Sequence, residues 1–253
     1  MHGPKRAVLY GLRPHDLGYC GPKCNSASIL LDYLAGKVSE QKIRKILKSF
    51  RGACPYYELI AKSNGIKDLF DDKVVEAYWL GNKLLDNVKH ADLQKMVATK
   101  FSAPGLLSKE EAKRRADNIP VGALPHHCIH VFIIGAVSGT IDLKGKLLDE
   151  CRVAWCKVKS IGKMNSEKQT EVIVEYQPVL TKNKLKLGKV IKRKVFWDKR
   201  MIAKLKVGDW VSVHWGQAIE KLSGRQIESL KRCTERNLEV SGIKDKRQKT
   251  NSR

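Results

Sequence analysis

The chain has 253 residues, with 49 lysine and arginine side chains against 26 aspartate and glutamate, a formal net charge of +23. Hydrophobic residues make up 42%, too many for a disordered polycation and enough for a folded core. No stretch approaches the run of about 18 apolar residues that a membrane span needs, and no apolar signal segment follows the first six residues. We therefore expect a globular cytoplasmic protein without a membrane partner.

Cysteine usage and charge distribution add two constraints. Seven cysteines at irregular spacing indicate free thiols in a reducing compartment rather than a disulfide framework. Residues 1–150 carry 23 basic and 16 acidic side chains, whereas residues 151–253 carry 26 and 10. The shift in charge coincides with a change in the hydrophobic pattern, so it marks a boundary between two parts of the chain.

The N-terminal part, residues 1–120, shows helical periodicity. The first predicted helix begins at Gly21-Pro22, because proline suits the first helical position. Further helices are predicted to start near Ser39, Pro55, Asp71, Ala91 and Ser108. The proline-containing stretch 118–125 then ends the helical pattern.

The C-terminal part alternates apolar and polar residues, as strands do. The predicted strands are Ile129–Val137, Arg152–Lys159, Thr170–Leu180, Lys184–Trp197 and Asp209–Trp215. An amphipathic helix over 223–240 and a disordered basic tail over 244–253 follow. The fold class is therefore α+β: a helical N-terminal half, a small antiparallel sheet or barrel over 126–216, and a closing helix.

We expect residues 1–243 to form a single continuous unit. The last helix has an apolar stripe that it must bury, and the β-rich part offers an inner face at period two. That face comprises Val153, Trp155, Val172, Val174, Val211 and Val213. The prediction is one shared core, with the Cys20 turn and a histidine cluster at the seam.

Cys20 is the first candidate for chemistry. The run Leu17–Pro22 places this thiol just before the predicted helix start, where unpaired N–H groups and the helix dipole favour an anion. We therefore expect a lowered pKa at Cys20, with the backbone N–H groups of Gly21 and Lys23 as oxyanion donors. The alternative interpretation is a buried cysteine in a tight turn.

Three of the seven histidines cluster where the first predicted strand begins. In a strand, His126, Cys128 and His130 share one face at spacings of about 7 Å, and His127 faces away. His130 or His126 would then act as base to a Cys20 nucleophile, and the reaction would be acyl or group transfer, or hydrolysis, on a small molecule or peptide.

Two alternatives of other classes stay open. The first is a metal-binding protein in which His126, His130, Cys128 and Cys20 hold zinc or iron. The second is a nucleic-acid-binding module, because alternating basic residues would form a row suited to a phosphate backbone. That row comprises Lys182, Lys184, Lys186, Lys192, Arg193 and Lys194. A solvated lysine face is favoured over nucleic-acid binding.

Several stretches together resemble a prokaryotic domain family of unknown function. Its motifs Gly-Tyr-Cys-Gly-Pro and His-His-x-x-His-Val-Phe correspond to Gly18–Pro22 and His126–Phe132. Residues 75–82 and the pair His214-Trp215 are further matches. The resemblance covers nearly the whole chain, implies one continuous unit and implies no activity.

A second, weaker likeness is to papain-like bacterial leader peptidases. These proteins place a Cys-Gly-Pro segment at a helix start and a histidine at the head of an apolar strand. The likeness implies a nucleophile at Cys20 and a base at His130, with Asp142 as the nearest acidic candidate for a third residue.

Overall fold

The computed structural model describes residues 1–22, 26–138, 140–164, 169–182 and 184–242. Over these residues a helical N-terminal half precedes a five-stranded barrel and a C-terminal helix, which confirms the predicted α+β class. None of the helices in the described ranges combines the length and apolar character needed to cross a bilayer. The predicted basic tail lies outside the described residues.

Helices of the N-terminal half mostly begin where the capping signals place them. The side chains of Ser39, Asp71 and Ser108 each accept a hydrogen bond from a backbone N–H in the following first turn. The elements are α1 (Gly3–Asp16), α2 (Ala27–Leu34), α3 (Glu40–Lys48), α4 (Cys54–Ser63), α5 (Asp72–Trp79), a 3-10 helix (Lys83–Asn87), α6 (His90–Lys100) and α7 (Lys109–Asp117).

The prediction of a helix start at Gly21-Pro22 is wrong. Helix α1, which the sequence patterns did not reveal, ends at Asp16, and α2 begins only at Ala27. Gly18 and Gly21 have φ angles of 72° and 99°, a left-handed backbone that breaks helical geometry. Cys20 therefore lies in a turn between two helices rather than at the first turn of one.

Five strands close a barrel in the order β1-β2-β5-β7-β6. All pairs are antiparallel except β5 with β7, where Phe196 pairs with Gln217 in parallel. The strands are β1 (Ala154–Met164), β2 (Gln169–Tyr176), β5 (Ile191–Asp198), β6 (Trp210–His214) and β7 (Gln217–Lys221), with β3 (Val179–Leu180) and β4 (Lys186–Leu187) as a separate hairpin. The fifth strand of the barrel is therefore β7, which the sequence patterns did not predict, and not the predicted strand 129–137.

Residues 127–134 are helical, so the predicted strand there is wrong. A short helix α8 (His127–Ile129) continues as a π-helical turn (His130–Ile134). His126 caps this segment by accepting a hydrogen bond from the backbone N–H of Cys128 at 3.1 Å. A short, continuous apolar run is compatible with a buried helix or a buried strand, because it has no alternation of apolar and polar residues to distinguish them.

The predicted single core is divided into three hydrophobic clusters, one in the helical half, one inside the barrel and a smaller one around Trp215. Val153 and Trp155 pack with the helical half, whereas Val172, Val174, Val211 and Val213 lie inside the barrel. Successive strand residues point to opposite sheet faces, so β1 contributes to the first two clusters. Helix α10 (Gly224–Ser241) begins close to the predicted residue 223, with a capping box formed by Ser223 and Gln226, and it contacts α8 and β1. The remaining helix, α9 (Lys146–Cys151), is short and comes directly before the barrel in the chain.

A buried ion pair connects the helical half to the barrel. Arg6 of α1 is 1% exposed and Glu220 of β7 is 5% exposed. The Arg6 Nε–H donates to Glu220 Oε1 at 2.9 Å, and Arg6 Nη2 lies 3.0 Å from Glu76 Oε2. Because both charges are removed from water, each depends on the other for compensation.

Gly81, just after α5, lies against Cys233 and Ser229 of α10, and its replacement is expected to be costly. A Cβ at this position would lie 2.5 Å from Cys233 Sγ and 3.1 Å from the Ser229 carbonyl oxygen. We expect Gly81→Ala to destabilise the protein by about 1–3 kcal/mol more than Gly36→Ala. Gly36 is the matched control, since its φ of 75° resembles the 83° of Gly81 but nothing lies within 4 Å. Equal urea midpoints for the two variants would contradict this prediction.

Candidate functional site

A cavity of about 420 Å³, partly open to solvent, lies between the helical half and the barrel. Helix α1, the turn after it, α8 and the end of β6 all contribute to its wall. The aromatic lining residues are Tyr19, Phe50, Tyr57, Tyr78, Trp79 and Trp215. Two cysteines and three histidines also line it: Cys20, Cys151, His127, His130 and His214. An apolar cavity with few convergent polar groups is the usual form of a ligand site.

Three of these side chains form a compact group. His127 of α8, Cys151 at the end of α9 and His214 at the end of β6 place one ligand atom each within 4.8 Å of one another. All three residues are buried. Among the described residues this is the group of His, Cys, Asp and Glu side chains that could hold a metal ion.

The ring of His214 has one fixed nitrogen and one unpartnered nitrogen. Nδ1 lies 3.0 Å from the Tyr10 carbonyl oxygen, which can only accept, so Nδ1 carries the proton. Burial holds the pKa of His214 well below its ordinary value, so the ring is neutral and Nε2 bears a lone pair. Nε2 is buried and makes no hydrogen bond of standard geometry within the described chain, although the backbone of Cys151 lies close enough to oppose the lowering of the pKa. A buried acceptor of this kind is available to a metal ion.

His127 can present the same nitrogen after a change of tautomer. Its Nε2 lies 2.9 Å from the Cys151 carbonyl oxygen and 4.0 Å from Cys151 Sγ, while Nδ1 lies 3.1 Å from the Tyr78 hydroxyl. A hydroxyl donates or accepts, so Tyr78 supports a proton on either ring nitrogen. Burial lowers the pKa of His127 to about 4, which keeps the ring neutral.

Trp215 covers the sulfur side of the group. Burial raises the pKa of the Cys151 thiol, and the indole of Trp215 opposes that rise. The Trp215 φ of 52° is unusual for a residue other than glycine, and its backbone N–H donates to the Glu150 carbonyl oxygen at 2.8 Å. Strained backbone at a cavity wall is typical of functional sites.

His126 and Cys128 do not belong to the cavity. The His126 Nε2 lies 3.1 Å from the Trp79 carbonyl oxygen, and its Nδ1 lies 3.0 Å from Cys128 Sγ. Both ring nitrogens are thus engaged in holding the fold. The predicted shared face of His126, Cys128 and His130 is wrong because the segment is helical, and positions 127 and 130 share a helix face instead.

His130 and Cys20 both lie beside Gly52. A Cβ built on Gly52 would lie 3.7 Å from His130 Nε2 and 3.9 Å from Cys20 Sγ. The other ring nitrogen, His130 Nδ1, lies 3.3 Å from the Tyr56 hydroxyl, and burial lowers the pKa of His130 to about 3. Burial raises the pKa of Cys20 to about 11, against the backbone N–H of Gly21, so the predicted lowering is wrong.

The remaining predicted residues of the thiol site divide into three cases. Gly21 lines the cavity, with the left-handed φ already noted. Lys23 lies outside the described residues. Asp142 is exposed and pairs with Lys144 at 2.7 Å, so the structure offers Tyr56 rather than Asp142 as a third residue behind His130.

Two of the six residues in the predicted basic row form ion pairs with glutamates. Arg193 is mostly buried and forms an ion pair with Glu150 at 2.7 Å, and Lys194 pairs with Glu171 at 2.9 Å. The other four lysines of the row are exposed: Lys182, Lys184, Lys186 and Lys192. Nucleic-acid binding stays a prediction that rests on these four.

Fold and site define an α+β protein with a buried histidine–cysteine cavity. Residues 1–248 match DUF6390, a family of unknown function, and the chain belongs to this family. No curated protein and no solved structure matches the chain. The match confirms the resemblance to a family of unknown function, while the motifs and the likeness to papain-like peptidases stay predictions.

Proposed function

We propose that the protein is a zinc-dependent enzyme that acts on a small molecule in this cavity. The observation that supports the proposal is the convergence of His127, Cys151 and His214, with an unpartnered lone pair on His214 Nε2. Two imidazoles and a thiolate suit zinc, and three protein ligands are the usual number in a catalytic zinc site. Their fourth position would face the cavity.

The surroundings of the three ligands also favour a metal. Metal-bound histidines usually donate their second N–H to a carbonyl or hydroxyl oxygen, as His214 does to Tyr10 and as Tyr78 allows for His127. Ligand atoms of a tetrahedral zinc site lie about 3.5 Å apart. The group, with its atoms within 4.8 Å, would close by about 1 Å on binding.

Hydrolysis is the reaction that this arrangement supports best. A zinc ion with an open position lowers the pKa of bound water and polarises a carbonyl oxygen. The aromatic wall would exclude bulk water, which strengthens electrostatic interactions inside the cavity. His130 faces the same space and could exchange a proton with the substrate.

We expect the purified protein to bind one zinc ion per chain and His214→Ala to lose that binding. Even outer-shell partners of a metal cost about 10–100-fold in affinity, so loss of a ligand is expected to cost more than about 100-fold. Elemental analysis gives the stoichiometry. Zinc titrations followed by thermal unfolding give the affinity, because a ligand of the folded state raises Tm.

Matched controls are His130→Ala and Cys20→Ala, which alter the same cavity outside the proposed ligand set. Both variants are expected to keep zinc, in contrast to the ligand set predicted from sequence. Circular dichroism establishes that each variant is folded. A wild-type protein without zinc affinity, or a folded His214→Ala variant with unchanged affinity, would overturn the proposal.

A second candidate is thiol-dependent acyl transfer or hydrolysis, which the approach of Cys20 and His130 to Gly52 favours. His130 Nε2 would take the thiol proton while Sγ attacks the acyl carbon, and the leaving group would depart with that proton. Water would then release the acyl group. The Tyr56 hydroxyl would accept from His130 Nδ1–H and orient the ring.

For this candidate we expect p-nitrophenyl acetate to acylate Cys20, with the site identified by mass spectrometry. His130→Ala should slow the acylation about 10²–10⁴-fold, the usual contribution of a general base. Gly52→Ala is a steric probe, because its methyl group would fill the gap at ordinary contact distances. Acylation of another cysteine would exclude Cys20 as nucleophile, and an unchanged rate in His130→Ala would exclude His130 as its base.

A further inference from the structure

The described lining of the cavity carries one positive charge and no carboxylate. Of the described lining residues none is Asp, Glu or Lys, and Arg51 is the one with a permanent charge. Without carboxylates these residues offer a cationic ligand no ion pair, and only cation–π contacts with the aromatic rings remain. A single guanidinium, held by a solvent-exposed hydrogen bond in the wall of a largely apolar cavity, instead favours an anion with an apolar body.

Arg51 has hydrogen-bonding capacity to spare. Its Nη1–H donates to the Pro104 carbonyl oxygen at 2.7 Å, which holds the guanidinium beside the lining residue Gly105. The side chain takes part in none of the ion pairs of the described chain. A guanidinium has five N–H donors, so enough remain for both oxygens of a carboxylate.

Arg51 lies near the candidate reactive groups of the cavity. It directly precedes Gly52, the residue beside which both Cys20 and His130 lie, and the histidine–cysteine group lines the same cavity. A ligand anchored at Arg51 would therefore extend its body past His130 among the aromatic side chains. A volume of about 420 Å³ suits a molecule of small-metabolite size.

We propose that the cavity binds small monocarboxylic acids with an aromatic or branched apolar body, and that Arg51 recognises the carboxylate. The inference rests on the proposed function for what happens to the ligand, but the binding itself requires no metal. Arg51 sets specificity, since a planar bidentate donor selects a carboxylate over a neutral amide of the same shape.

The test uses three probes of nearly equal shape on the full-length, metal-free protein: phenylacetate, phenylacetamide and 2-phenylethylamine. We expect calorimetric titration to show that phenylacetate binds about 10- to 100-fold more tightly than the amide, and the amine most weakly. Arg51→Gln should abolish the difference between acid and amide, and Arg51→Lys should restore part of it.

Arg13→Gln is the control, because Arg13 is an exposed arginine that does not line the cavity. It should leave all three affinities unchanged. Equal affinity for acid and amide, preference for the amine, an unchanged acid affinity in folded Arg51→Gln, or no binding of any probe would overturn the inference. Zinc binding is measured in separate experiments, so the proposed function and this inference can fail independently.

Discussion

Acidification from pH 7 to pH 4 is expected to unfold the metal-free protein. Burial lowers the pKa of His126 and His130 to about 3 and that of His127 to about 4, and it also lowers that of His214. Histidine in the unfolded chain titrates near pH 6.5, so below that pH the unfolded state takes up protons that the folded state refuses. The stabilisation is therefore complete above pH 6.5 and is lost as the pH falls towards 4.

The size of this effect follows from the number of histidines. Each contributes up to about 1.4 kcal/mol per pH unit, so four together approach about 5 kcal/mol per unit near pH 5. Typical domains have only about 5–15 kcal/mol of stability in total. Urea unfolding at pH 7, 6 and 5 measures the slope directly.

Two variants test the assignment of the slope to buried histidines. His127→Gln should reduce it by up to about 1.4 kcal/mol per pH unit, since one titrating ring is gone. Cys156→Ala is the control: this buried barrel residue, whose pKa burial raises to about 12, does not titrate in the range. It should lower stability without changing the slope. A pH-independent wild-type stability would contradict the prediction.

Arg6→Met is expected to cost about 3–5 kcal/mol, because it leaves Glu220 buried without its cation. Methionine keeps much of the side-chain volume, so the cost comes from the uncompensated carboxylate rather than from a cavity. Chemical denaturation at pH 7 gives the free energy of unfolding.

The control lies on the same helix. Arg13 forms an exposed ion pair with Asp16, and Arg13→Met should change stability by less than about 0.5 kcal/mol. The double variant Arg6→Met/Glu220→Met should recover most of the loss, since a matched apolar pair often replaces a buried ion pair without penalty. A double variant as unstable as Arg6→Met alone would assign the cost to packing instead.

Sequence patterns predicted the fold best where they combined periodicity with a local chemical signal. The caps at Ser39, Ser108 and Ser223 each mark a helix start, and alternation located β1, β2, β5 and β6. Helix α1 has no capping side chain at His2, and its buried face includes the charged Arg6. Its burial depends on an ion pair with residue 220, which local sequence does not reveal.

The candidate site was predicted only in part, for one main reason. The predicted strand put His126 on the same face as His130, whereas the observed helix puts His127 there. The difference arises because side chains share a face every two residues in a strand and every three to four residues in a helix. Cys151 had no distinguishing signal among seven cysteines, and Tyr56 and Tyr78 resembled core residues. His214 was singled out only through the family resemblance.

The Arg6–Glu220 pair also bears on how the chain is made. The two residues are 214 positions apart, and synthesis at about 5–20 residues per second separates their emergence by roughly 10–40 s. During that interval a nascent α1 carries an arginine destined for the interior with no carboxylate from β7 to meet it. The cavity wall, which needs both α1 and β6, therefore closes only after residue 214 has left the ribosome.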